Sequence, residues 1–194
     1  MALSPSDNAL LTLGHSNHAP EHFQSLLVES RVDVLVDVRS WPHSRYVGWA
    51  DRAALPGIAG SVDVKYLFLG DQLGGRPDDA AFYDGEGHVL YSRVATSEDF
   101  RAGIARLKRG IEQCRVAVMC SEENPEHCHR RLLVAKVLLD EGIAVTHIRG
   151  DGTNEVEPGP IDLSAGSLFQ DEERLWRSSR SVSRKPPPRT SLAA

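Results

Sequence analysis

The stretch VDVLVDV at residues 32–38 decides the fold class. It is rich in Val, as strands buried inside parallel sheets are, and Asp37 near its end and Arg39 just after it are two polar groups on one face of the strand. Working outward, the same kind of run recurs with helical segments between. Upstream, residues 9–13 read as a first strand closing in Gly14-His15-Ser16-Asn17. Pro20 then opens a helix carrying Phe23, Leu26 and Leu27 at helical spacing. Downstream, residues 51–58 read as a short helix broken at Pro56-Gly57, and residues 62–69 as a third strand. A longer helix follows over 97–113, capped by Thr96 or Ser97, with Phe100, Ile104, Leu107 and Ile111 on one face. Residues 116–119 form a fourth strand, 129–140 a helix ended by Gly142, and 143–148 a fifth strand.

Strands separated by helices imply βαβ units. The expected class is α/β: a single open, mainly parallel sheet of about five strands with helices on both faces, a Rossmann-like three-layer sandwich. Two long irregular stretches, 39–50 and 70–93, interrupt it, and loops of that length inside a domain are usually functional or mobile. Residues 1–177 read as a single domain, with 167–177 forming one more amphipathic helix through Leu168, Phe169, Leu175 and Trp176. Residues 178–194 read as a disordered basic tail dominated by Ser, Arg and Pro. No internal repeat is present.

A chain of 194 residues, 41% hydrophobic and 25% charged, suits one ordinary globular domain. Its net charge of −5 leaves no global footprint for nucleic acid or acidic membranes. The charge is uneven: residues 171–194 carry +3 and residues 1–170 carry −8. Three cysteines, Cys114, Cys120 and Cys128, make an odd number, which argues for a reducing compartment rather than a disulfide scaffold. There is no apolar run of membrane-spanning length and no signal-peptide layout, so the expected location is the cytoplasm, with no membrane partner.

The carboxyl ends of parallel strands lie on one edge, where open α/β sheets bind ligands. Here that edge receives His15 and Ser16 from the first strand, and Asp37, Arg39, His43, Ser44 and Arg45 from the second. The third contributes Leu73-Gly74-Gly75-Arg76, the fourth Cys120 and Glu122, and the fifth His147 and Arg149. Asp37 and Arg39 would either hold an anionic substrate, with Arg45 beside them, or close the loop as a structural ion pair. The segment from Cys120 to Arg130 supports three chemistries. Cys120 or Cys128 would be a thiolate nucleophile with His129 or His15 handling the proton, the cluster would hold a metal, or the cysteines would be buried and inert. The spacing Cys-x7-Cys-His matches no standard zinc pattern, so neither metal nor cofactor is expected. Trp41, Tyr46 and Trp49 would stack on a base or anchor their loop.

The ordered pieces are TLGHS at 12–16, LVDVR at 35–39 with Pro42-His43-Ser44-Arg45, Tyr66, and LGG at 73–75. VMCSEENPEHCHRRLLV at 118–134 and VTHI at 145–148 complete them. Together they resemble the bacterial and archaeal family called domain of unknown function 488, over residues 11–150. The resemblance implies a compact α/β fold and puts His15, Ser16, Asp37, Arg39, Pro42, Ser44, Arg45, Cys120, Glu122, Cys128, His129 and Arg130 on motif positions. Ser121 stands where the pattern often has Ala. The family's name assigns no activity.

Three functions follow as expectations. The first is an enzyme acting on an anionic, phosphate-bearing or nucleotide-like substrate. Cys120, Glu122, His15 and His129 would do the chemistry there, and Ser16, Asp37, Arg39, Ser44, Arg45 and Arg130 would bind. The second is a nucleic-acid or nucleotide binding module without catalysis, using the aromatic loop and basic tail. The third is sulfur transfer through a persulfide on Cys120.

Overall fold

Along the central strands, apolar side chains alternate between two layers. In the computed structural model, which describes residues 8–44, 46–162 and 175–182, six strands form one sheet. They are β1 (Leu10–Gly14), β2 (Val34–Asp37), β3 (Lys65–Phe68), β4 (Val116–Cys120), β5 (Val145–Ile148) and β6 (Asn154–Val156), in the order β3-β2-β4-β1-β5-β6. Leu10, Val36, Val116 and Val118 face one layer, and their neighbours Leu11, Leu35, Ala117 and Met119 face the other. Burial on both faces is what the Val-rich runs required.

The first layer is built by α5 (Glu98–Ile111) and α6 (Lys136–Asp140), through Phe100, Ile104, Leu107 and Leu138. The second is built by α1 (Pro20–Glu29) and α2 (Leu55–Gly60), through Phe23, Leu26, Leu27 and Leu55. Helix α5 starts where Ser97 Oγ accepts from the Phe100 amide, with Glu98 and Asp99 in its first turn and Lys108 and Arg109 in its last. That charge order complements the helix dipole. Gly103 on α5 lets it approach α3 (Gly70–Leu73), since a Cβ there would lie 2.7 Å from the Leu73 side chain.

β1 to β5 run parallel, and β6 pairs antiparallel with β5. The chain steps outward from β1 to β2 and β3 with α1 and α2 on one face, then returns through β4 to β5 with α5 and α6 on the other. Adjacent strands β1 and β4 therefore send their connections to opposite faces. A crevice opens at their carboxyl ends, the place where such sheets bind ligands.

Several expectations need revising. A sixth strand exists because Asn154-Glu155-Val156 adds to the β5 edge as an exposed polar ribbon, with no apolar run to announce it. Helix α2 passes through Pro56 because the proline occupies its first turn, where no amide donor is needed. The stretch 70–93 contains α3 and the start of α4 (Tyr91–Thr96). The helix foreseen at 167–177 lies mostly outside the described residues.

The tail foreseen from 178 is anchored at its start. The Trp176 indole donates to the Leu132 carbonyl at 2.7 Å, and Arg177 bridges to Leu90. The Ser178 and Val182 amides then donate to the Val89 and Gly87 carbonyls. Residues 183–194 lie outside the described residues. No helix among the described residues is long and apolar enough to cross a membrane.

Candidate active site

Cys120 ends β4 opposite Gly14 of β1. The pairing continues past the strands, with His15 N donating to Cys120 O at 3.0 Å and Ser16 N to Ser121 O at 2.9 Å. Gly14 makes this approach feasible: a Cβ there would fall 1.9 Å from the Glu122 carbonyl. Beyond Cys120 the chain turns through a short 3-10 segment at Pro125–His127, capped by Asn124, and reaches Cys128 in extended conformation. A π-helical stretch, Arg130–Ala135, follows and runs into α6. Such wide turns are frequent at functional sites.

His129 sits at the start of that stretch and faces back to the strand. Its Nδ1 lies 3.7 Å from Cys120 Sγ and 3.9 Å from Cys128 Sγ. Its Nε2 lies 3.0 Å from the Val38 carbonyl, which can only accept, so Nε2 carries the hydrogen. Gly75 leaves room for the ring, since a Cβ there would lie 2.6 Å from it. The LGG turn thus accommodates an imidazole.

The thiols are not equivalent. A hydrogen bond from Cys128 holds the Cys120 thiol well below its ordinary pKa despite burial, helped by His129 and Arg130. Burial and the neighbouring Cys120 push Cys128 well up. Burial depresses His129, but the Cys120 charge and hydrogen bond outweigh it, and its pKa is raised. These shifts favour the charged form at Cys120 and His129 and the protonated form at Cys128. The two sulfurs and Nδ1 lie within 4.8 Å of one another. They are close enough to share a soft cation and equally close enough to share protons. Asp84, Glu86 and His88 also converge, but Arg177 Nη1 sits 2.6 Å from Asp84 and supplies the positive charge there.

A cavity of about 390 Å³ opens above the thiols. Its lining includes Arg39, Arg76 and Arg180, with Glu122 the single carboxylate among the described residues, and residues 178–182 form one wall. Trp41 stands at its edge, with the Arg76 guanidinium 6.0 Å from the ring.

Arg39 is fixed from behind. Its Nε and Nη2 grip the two Asp37 carboxylate oxygens at 2.9 and 2.7 Å, and Nη2 also donates to the Ala50 carbonyl. Tyr66 donates to Asp37 as well, at 2.9 Å. Arg39 Nη1 lies 3.0 Å from His15 Nε2, and His15 Nδ1 lies 2.8 Å from the Ser16 carbonyl. His15 is therefore protonated on Nδ1 and accepts at Nε2. Burial, then Arg39, lowers its pKa, so it stays neutral. Asp37 and Arg39 form a buried ion pair, and Arg39 also lines the cavity.

The sequence-derived residues divide accordingly. Cys120, His129, Arg39 and Glu122 meet at the cavity, Glu122 on its exposed rim. His15 and Asp37 support Arg39 from the interior. Arg130, expected to bind an anion, is fully buried and spends its guanidinium on the Glu122 and Glu123 carbonyls, the latter at 2.5 Å. Ser44 accepts from the Val47 amide at 3.0 Å and shapes its own loop, and Ser16 adopts a left-handed turn with φ 46°. Arg45 lies outside the described residues. Cys128 and Arg76, which sequence reasoning had placed near this edge without a settled role, line the site, and Tyr91 and the wall at 178–182 join it unforeseen. The Cys-His-Arg run was a signal for Cys128, whereas nothing local announces which strand a distant tail will join.

A family model, described as domain of unknown function DUF488, matches residues 19–137. The chain belongs to this family. The DUF488 stretch runs from the α1 region to the start of α6, so it carries Asp37, Arg39, Cys120, Cys128 and His129 and leaves out β1 and β5. Neither the curated proteins nor the solved structures offer a match to this chain.

Proposed function

We propose that this protein is a cysteine-dependent enzyme that acts on a small anionic substrate, with Cys120 as nucleophile. One observation carries the reading. Cys120 Sγ lies at the floor of an arginine-lined cavity, 3.7 Å from an imidazole whose far nitrogen is committed to a backbone carbonyl. A thiolate needs such a neighbour, because an opposite charge and donated hydrogen bonds favour its charged form. His129 stabilises the thiolate and is placed to return a proton to a leaving group. Arg39, pre-positioned by Asp37, and Arg76 attract the anion and neutralise charge that develops on it. Glu122 on the rim is the remaining general base of the site.

The nucleic-acid reading draws less support. Trp49 donates to the His18 carbonyl and its ring lies 5.0 Å from that of Phe23, so it anchors its loop rather than offering a stacking surface. Trp41 and the 96% exposed Tyr46 remain available.

The test is protection from alkylation. Inorganic phosphate or sulfate is expected to slow iodoacetamide labelling of Cys120 and to leave Cys114, which sits outside the cavity, unchanged. Labelling of Cys120 that ignores both anions would contradict an anion site above the thiol.

A further inference from the structure

The cavity holds a second thiol beside the nucleophile. Cys128 is buried, its sulfur lies 3.9 Å from His129 Nδ1, and it stands within 4.8 Å of Cys120 Sγ. Phosphoryl or acyl groups on a cysteine are removed by water or another oxygen nucleophile, a step in which a neighbouring thiol is not the attacking group. A sulfur atom on a cysteine is different. It is held by an S–S bond, and such bonds are broken by a neighbouring thiolate.

We propose that the site takes sulfane sulfur from a small anionic donor of the thiosulfate class, and that Cys128 resolves the resulting persulfide. This rests on the reading of Cys120 as nucleophile and narrows its substrate.

In the first step the Cys120 thiolate attacks the outer sulfur of the donor. A bond forms between Cys120 Sγ and that sulfur, the sulfur–sulfonate bond breaks, and sulfite leaves with the electron pair. In the second step Cys128 attacks Cys120 Sγ. The Sγ–Sγ bond forms, the bond to the sulfane sulfur breaks, and the proton of Cys128 leaves with it as hydrosulfide, relayed by His129 Nδ1. The two residues end as a disulfide, oxidised by two electrons, while the sulfane sulfur is reduced to hydrosulfide. An external dithiol returns the pair to its starting state by exchange.

The geometry suits both steps. Arg39 and Arg76 face the cavity where the sulfonate would lie and be released. The sulfurs start within 4.8 Å and must close to about 2.05 Å. Cys128 is extended and precedes the π-helical stretch, so it is not locked into a regular helix.

The experiment mixes reduced protein with thiosulfate without oxygen and follows sulfite, sulfide, intact mass and disulfide peptides. Wild-type protein is expected to release one equivalent each of sulfite and sulfide and to lose two hydrogens in mass, with Cys120 linked to Cys128. Cys128→Ser is expected to release sulfite, gain one sulfur on Cys120 and release no sulfide, and Cys120→Ser to do neither. Wild-type protein that retains the added sulfur with Cys128 still free would overturn the resolving role, whatever the variants do. Absence of sulfite from wild-type protein whose Cys120 still alkylates rapidly would overturn the donor class and leave the nucleophile standing. Slow alkylation as well would remove both.

Discussion

His129 gives its Nε2 hydrogen to the Val38 carbonyl at 3.0 Å, and that bond decides which ring nitrogen faces Cys120. The bond ties the start of the π-helical stretch to the chain just beyond β2. It leaves Nδ1 toward the sulfurs, as a second-layer carbonyl does for many working histidines. Replacing His129 by Ala removes both the cation and the hydrogen bond from the thiolate. The midpoint of Cys120 alkylation against pH should then rise to about 8.5 or above, the free-thiol range, when followed by peptide mass spectrometry. A midpoint unchanged from wild type would show that the imidazole does not set the charge on Cys120.

Asp37 balances the buried charge of Arg39 and accepts from Tyr66. Asp37→Ala leaves an uncompensated guanidinium, which should lower unfolding stability by about 3–5 kcal/mol in urea. Tyr66→Phe removes one hydrogen bond to a charged group and should lower it by about 1.5–3 kcal/mol.

Gly75→Ala places a methyl group against the His129 ring, 2.6 Å from Cγ. The ring must shift, so alkylation of Cys120 at neutral pH should slow several-fold. Gly57→Ala meets nothing within 4 Å and serves as the control, with an unchanged labelling rate. Equal effects of the two on labelling would refute the steric account.

His15 and His147 are both depressed, each by burial first. Folded, they stay neutral; unfolded, they protonate near pH 6.5. The unfolded state thus binds more protons below that pH, and stability present above it is lost as pH falls through the folded values. The urea midpoint should drop as pH falls below about 6.5, and His147→Gln should flatten that slope. His129 acts in the opposite sense, since its raised pKa gives a contribution lost as pH rises. A steeper acid slope in His147→Gln would contradict the assignment.

Much of this was legible in the residues. The Val-rich run VDVLVDV specified a strand buried on both faces, and parallel topology then placed Arg39 and Cys120 at one edge. Sequence order could not say where side chains turn. Arg130 looked like an anion ligand, yet the loop after β4 exposes two carbonyls that need donors, and it satisfies them. His15 looked like a free base, but a guanidinium 24 residues away occupies its acceptor nitrogen. β6 and the wall at 178–182 pair through backbone amides, which leave no pattern in side-chain identity.

The measurement that tests the central claim most directly is the pH dependence of iodoacetamide labelling at each cysteine of the native wild-type protein. The account predicts that Cys120 labels with a midpoint well below about 8.5, and faster at neutral pH than Cys128 or Cys114, whose thiols are pushed up. Cys120 that labels slowly at every pH, or only as alkali deprotonates an ordinary thiol, would contradict it.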